Sequence, residues 1–146
     1  MSFLKLKVWP VVAGFIVASI VMMIFEFINS FLFPLPENLD WADTASVQAL
    51  TASLPWTAYI LVLLGWAIGS FKGGCVTTYL SGEKEYRVTA ALSILLVIAG
   101  GIDMAMLGHP LVFSVLGTAT LLFFPYLGHK YLLRAHAKKT EQSMNS

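Results

Sequence analysis

Three ionisable residues, Glu26, Lys72 and Asp103, lie within stretches of the chain that are otherwise apolar. A charged side chain at the centre of a bilayer costs about 2.5–3.5 kcal/mol on translocon-insertion scales. A partner, a water-filled cavity or a bound ion must offset that cost. Because ionisable residues inside a membrane often mark ion pathways and proton relays, these three are the first candidates for a functional site.

Glu26 and Asp103 are the stronger candidates. On a helix, Ser19, Asn29 and Ser30 fall near the face of Glu26, which makes a polar stripe on an apolar segment. At 1.5 Å per residue, Glu26 lies roughly 10 Å and Asp103 roughly 8 Å from the outer ends of their segments. Two carboxylates at one depth predict a cation or proton site, with Asn29 beside it. Alternatively, each carboxyl group is a separate packing residue near the lipid headgroups.

Lys72 has two interpretations. It lies roughly 10 Å from the predicted cytoplasmic end of its segment, so its ammonium either reaches toward lipid phosphates or acts as a countercharge to the carboxylates. The chain contains no GxSxG, HExxH or phosphate-loop motif, and the single cysteine, Cys75, has no metal-binding spacing around it. We therefore predict no catalytic residue, no metal site, no cofactor and no nucleic-acid partner, and an enzyme acting on lipid is the weakest interpretation.

The elements that must position these residues are transmembrane helices. Only 12% of the 146 residues are charged and 58% are hydrophobic, whereas soluble domains are about 25% charged. Each apolar segment has about the 20 residues that a bilayer requires. We predict an all-α polytopic membrane protein with one four-helix domain over residues 1–134 and a polar tail over 135–146. The predicted spans are Val8–Phe33, Trp56–Tyr79, Val88–Leu107 and Leu111–Leu133.

The distribution of basic residues predicts the orientation of the chain. No Lys or Arg occurs between Phe31 and Trp56 or between Asp103 and Tyr126. By the positive-inside rule, both termini and the middle loop are cytoplasmic. In the first outer loop, the capping side chains of Asp43 and Ser46 precede apolar residues at helical spacing, which predicts a short helix at the membrane surface. The basic residues are Lys5, Lys7, Lys72, Lys84, Arg87, Lys130, Arg134, Lys138 and Lys139.

Glycines at every fourth position form the most specific motif. Gly65, Gly69 and Gly73 leave one face of the second span without side chains, which lets another helix approach closely. Gly100 and Gly101 form a smaller patch beside Asp103. We predict that both patches serve helix packing, either within one subunit or between subunits. The glycine spacing does not identify the partner helix of either patch.

The chain resembles a family of small, uncharacterised bacterial four-helix membrane proteins. The similarity lies in Ala13-Gly14-Phe15, Pro34-Leu35-Pro36-Glu37, Gly100-Gly101-Ile102 and the turn from Met106 to Pro110. The similarity covers most of the chain. The chain departs from the family's pattern in carrying charged residues at Glu26, Lys72 and Asp103. The resemblance implies a four-helix topology in a bacterial inner membrane and carries no activity with it.

Two functions follow as hypotheses. The first is a small oligomeric transporter or channel that uses the carboxylates for a cation or proton. The second is a non-enzymatic accessory or scaffold subunit that packs against a larger membrane complex through Gly65, Gly69 and Gly73. The expected partners are the lipid bilayer and either further copies of the chain or that larger complex.

Overall fold

The computed structural model of the protein describes residues 2–82, 84 and 86–144. Within those residues the chain forms five α-helices and no strand, so the all-α prediction is confirmed. The short helix predicted after Asp43 is present as α2. The helices are α1 (Ser2–Leu32), α2 (Thr44–Ser53), α3 (Trp56–Ser81), α4 (Arg87–Leu107) and α5 (Leu111–Met144).

Four of these helices are long and apolar enough to cross a membrane: Val8–Leu32, Trp56–Ser81, Arg87–Leu107 and Leu111–Met144. Three agree with the predicted spans to within two residues at each end. The fourth helix runs past the predicted end at Leu133, because residues 134–144 contain good helix formers and no glycine or proline. Its 34 residues correspond to about 51 Å, well beyond the roughly 30 Å of a hydrocarbon core.

Helix α3 is the central element of the bundle. It packs against α1, α4 and α5, while α4 also packs against α1, α2 and α5. The core between the long helices consists of buried apolar side chains from each of them. Its members are Ala18, Tyr59, Trp66, Leu92, Leu96, Phe113 and Leu121.

The glycine ridge of α3 faces α1 within the same subunit. A Cβ atom at Gly65 would lie 2.5 Å from Cβ of Phe25, and one at Gly69 would lie 2.8 Å from the carbonyl oxygen of Ala18. A Cβ atom at Gly73 would lie 2.7 Å from the carbonyl oxygen of Gly14. The absence of side chains thus allows the backbones of α1 and α3 to approach each other.

A second glycine contact, which the ridge motif did not predict, joins α3 to α5. A Cβ atom at Gly74 would lie 2.7 Å from Cα of Pro125, and one at Gly128 would meet the carbonyl oxygen of Phe71. The thiol of Cys75 donates to the carbonyl oxygen of Gly128 at 3.3 Å. Here α3 and α5 touch backbone to backbone.

The two glycines of α4 differ in their surroundings. A Cβ atom at Gly100 would lie 2.5 Å from Cδ1 of Leu121, so this position packs against α5. A Cβ atom at Gly101 would have no atom within 4 Å. Of the predicted patch beside Asp103, Gly100 alone is therefore in close helix contact within the subunit.

Buried hydroxyl groups join α3, α4 and α5 near the end of the bundle where α3 leads into α4. The Thr78 hydroxyl lies 2.8 Å from the carbonyl oxygen of Gly74, 3.0 Å from the Thr89 hydroxyl and 2.9 Å from Nδ1 of His129. All three side chains of this network are almost fully buried. One hydroxyl thus satisfies polar groups on three helices.

Replacing Thr78 by Val should lower the free energy of unfolding by about 1–2 kcal/mol, because the isosteric side chain leaves Thr89 and His129 without their partner. Unfolding by sodium dodecyl sulfate in mixed micelles measures the change. Thr120→Val is the matched control, because the Thr120 hydroxyl is exposed and donates to Leu116 within its own helix. Equal destabilisation by the two variants would contradict the role of the network.

Candidate functional site

Helix α2 covers the end of the bundle that carries Glu26 and Asp103, which we call the carboxylate end. Asp43 caps α2 by accepting a hydrogen bond from the backbone N–H of Ala45 at 3.2 Å. Hydrogen bonds from Ser46 and Ala45 hold the pKa of Asp43 below its usual value. The Tyr59 hydroxyl of α3 donates to the carbonyl oxygen of Thr51. This bond fastens the C-terminal part of α2 to the bundle.

A cavity of about 300 Å³ lies between α2 and the long helices at the carboxylate end. Side chains from α1, the first loop, α2, α3 and α4 form its wall. Its polar residues include Glu26, Asn29, Thr51, Tyr59, Asp103 and His109, and the remainder of the wall is largely apolar.

A second cavity of about 200 Å³ shares both carboxylates with the first. It runs from Glu26 and Asp103 between α1 and α4, with the buried Trp66, Leu96 and Leu121 on its inner side. Met23 of α1, which is 64% exposed, also lines it. We call the first cavity the outer cavity and the second the inner cavity. The two carboxylates therefore lie where the outer cavity meets the inner cavity.

The structure brings Glu26 of α1 and Asp103 of α4 close enough for their charges to interact. The side chain of Trp66, on α3, donates a hydrogen bond to the Glu26 carboxylate. Glu26 is exposed on the surface of the single subunit, whereas Asp103 is half-buried. Three helices thus contribute to one polar site at the carboxylate end of the bundle.

Two buried polar atoms of described residues in the wall of this outer cavity lack hydrogen-bond partners. Within the described part of the chain, neither Oδ1 of Asn29 nor Nδ1 of His109 has a hydrogen-bond partner. Buried polar atoms are almost always hydrogen-bonded, so each exception needs an explanation such as a bound ion, ligand or water. Asn29 belongs to the predicted polar stripe, and the structure places it with Glu26 in the outer cavity.

His109 is a site residue that sequence reasoning missed. It lies in the turn between α4 and α5, and its ring stacks on Phe113 with centroids 4.4 Å apart. It also makes an edge-to-face contact with the ring of Tyr59, with centroids 5.9 Å apart. The sequence signal was a titratable residue between Gly108 and Pro110, which are both turn-forming residues. This turn holds the His109 ring at the end of α4, the helix that carries Asp103.

Burial lowers the pKa of His109 below its ordinary value, while the charge of Asp103 and a hydrogen bond to the Met104 backbone act in the opposite direction. Acidification through the ordinary histidine range should therefore destabilise the fold. Between the unfolded pKa and the lower folded pKa, the unfolded chain binds more protons, so stability falls as the pH falls. Thermal unfolding in detergent between pH 8 and pH 5 tests this expectation.

Asp103→Asn supplies a further check on His109. Removal of the carboxylate charge takes away an interaction that favours the imidazolium, so the stability of this variant should fall more steeply with acidification than that of the wild type. His109→Gln should instead flatten the profile. An unchanged profile in both variants would show that other groups govern the acid response.

Lys72 does not join the site. Gly65 is level with Phe25 of α1, and Lys72 follows seven residues later on α3, which corresponds to about 10 Å along the helix. Its side chain is exposed, and the described residues that line either cavity do not include it. The possible countercharge role of Lys72 therefore finds no support in the geometry.

The arrangement is more open than a compact metal centre. Among the described residues, no three side chains of His, Cys, Asp and Glu gather closely enough to hold a metal ion. The carboxylates, the Asn29 amide and the His109 imidazole instead surround a cavity that has room for a larger guest or for water.

No protein-family model, no curated protein and no solved structure matches the chain. The resemblance to small bacterial four-helix membrane proteins thus rests on short motifs alone.

Proposed function

We propose that the protein is a small membrane transporter or channel that binds a cation or a proton at Glu26 and Asp103. The observation that carries the proposal is the meeting of these two carboxylates, from α1 and α4, at the junction of two cavities. A pair of like charges in a low-dielectric site favours the uptake of a proton or a cation, because either one relieves both repulsion and desolvation.

The packed core around Trp66 favours a transporter that alternates between two states over a continuously open pore. The inner cavity ends against Trp66, Leu96 and Leu121, which are buried in the core. Passage to the other end would require Trp66 and the leucine side chains to move.

We further propose that the functional unit is an oligomer in the bacterial inner membrane with both termini in the cytoplasm. Glu26 is exposed on the subunit surface, and a charge that faces lipid is costly. A second copy packed against α1 would shield this carboxylate. The orientation is supported by the basic residues near the termini and in the loop between α3 and α4.

Flux into proteoliposomes tests the proposal. Purified protein is reconstituted with a pH-sensitive dye inside the vesicles, and an inward proton gradient is imposed with sodium, potassium or tetramethylammonium as the internal cation. We expect protons to enter these vesicles faster than they enter protein-free vesicles. The rate should depend on at least one of these cations or on the proton gradient alone. Flux equal to that of protein-free vesicles under every condition would refute the proposal.

The accessory-subunit alternative is weakened by the packing. Its proposed docking face, Gly65, Gly69 and Gly73, is covered by α1 in the single subunit. A partner helix would have to displace α1 to reach that face.

A further inference from the structure

We infer that the guest of the outer cavity is a small organic cation, an ammonium group that bears apolar substituents. This inference rests on the proposed cation site and names its substrate class. It follows from the wall of the cavity, which combines two carboxylates with aromatic and aliphatic side chains.

Aromatic residues surround the cavity on several sides. Phe33 at the end of α1, Trp41 in the first loop, and Tyr59 on α3 all line it together with Glu26 and Asp103. An aromatic face attracts a cation within about 6 Å of its centroid, and tryptophan attracts it most strongly. Aromatic rings and carboxylates around one cavity are the combination that recognises quaternary and alkylated ammonium groups.

The aliphatic part of the wall disfavours a hydrated inorganic ion. Val47 and Leu50 of α2 and Leu54 and Val62 around the start of α3 face the same cavity. These side chains cannot form hydrogen bonds to the water shell of sodium or potassium, whereas they pack well against alkyl groups. An organic cation therefore gains from both parts of the wall.

Size and spacing agree with this assignment. The volume of about 300 Å³ is at the lower end of the range for small-molecule pockets. Among the described residues, the acidic, histidine and cysteine side chains do not gather in threes around a point, as a bare metal ion would need. A guest with its charge distributed over several substituents can approach Glu26, Asp103 and Trp41 at once.

Equilibrium binding to the purified full-length protein in nanodiscs tests the inference. The probe is phenyltrimethylammonium, and its neutral isostere tert-butylbenzene differs from it in charge alone. We expect titration calorimetry to show saturable binding of the cation. An excess of tert-butylbenzene, or of sodium chloride at matched ionic strength, should leave that binding nearly unchanged. Equal binding of the isostere would show a site that is merely apolar and would overturn the inference.

Two variants locate the site. Trp41→Ala should weaken binding about 2- to 30-fold, the range for the loss of one cation–π contact. Trp9→Ala is the matched control, because Trp9 is 63% exposed, as Trp41 is 64% exposed, and lies at the other end of α1. Equal weakening by both variants, or by neither, would contradict the aromatic wall.

The result separates the inference from the proposed function. If sodium or protons bind in a manner that depends on Glu26 while phenyltrimethylammonium does not bind, the carboxylate site stands and the substrate class is wrong. If phenyltrimethylammonium binds and no flux occurs, the protein is a cation-binding protein and the transport proposal is wrong. If none of the three binds, both fail.

Discussion

Proteoliposomes that carry Glu26→Gln should show at least about a tenfold loss of cation- or proton-driven flux. The amide keeps the shape of the side chain and can still hydrogen-bond, but it neither carries a negative charge nor exchanges a proton. Hydrogen bonds to charged groups contribute about 1.5–3 kcal/mol, and every 1.4 kcal/mol corresponds to a factor of ten. Initial rates with the internal pH dye measure the loss.

Asp103→Asn should produce a similar loss, and the double variant should lose less than the product of the two single effects. Residues that act on one bound ion are coupled, so their effects do not add. Glu37→Gln is the control, since Glu37 is an exposed acidic residue of the first loop. Flux that is unchanged in both single variants would place the ion path elsewhere.

Gly74→Ala should destabilise the protein by more than about 2 kcal/mol. The added Cβ would meet Cα of Pro125 at 2.7 Å and its carbonyl carbon at 2.8 Å. Both atoms belong to backbone, so no side-chain rotation relieves the clash, and α3 and α5 must separate. Overpacking of a close-packed interior costs about 1–3 kcal/mol, with larger costs where the neighbour cannot move.

Gly101→Ala is the matched control for this substitution. It is also a helical glycine of a long apolar span, yet a Cβ atom there would meet nothing within 4 Å. Because alanine is about 1 kcal/mol better than glycine in a helix, this variant should be neutral or slightly more stable. Unfolding midpoints in sodium dodecyl sulfate compare the two, and equal midpoints would show that α3 and α5 do not touch at Gly74.

The long helices and the capped helix α2 were predictable because their causes are local. Each long span is a largely apolar run of about bilayer length, and hydrocarbon leaves a spanning segment few options other than a helix. Helix α2 begins where the Asp43 side chain can accept from the backbone of Ala45. Helix α5 continues beyond the predicted end of the span at Leu133, because residues 134–144 favour a helix without being apolar.

The composition of the site was only partly predictable. The cost of burying charge singled out Glu26 and Asp103, and helical spacing added Asn29. The same reasoning selected Lys72, which lies about 10 Å along α3 from Gly65, the residue level with Phe25. It was selected because an apolar run shows the depth of a residue but not the direction that the residue faces.

Helix pairing required the tertiary structure. Glycine spacing predicts that α3 has a flat face, and any of three other long helices could cover it; the shape of Phe25, Ala18 and Gly14 selects α1. The meeting of Glu26 with Asp103 follows from that choice and from the contact of α4 with α1. His109 enters the site because a tight turn returns the chain over the same cavity. Residue types and their spacing thus determine the helices and the chemistry available, whereas side-chain shape at the helix contacts decides which of those groups meet.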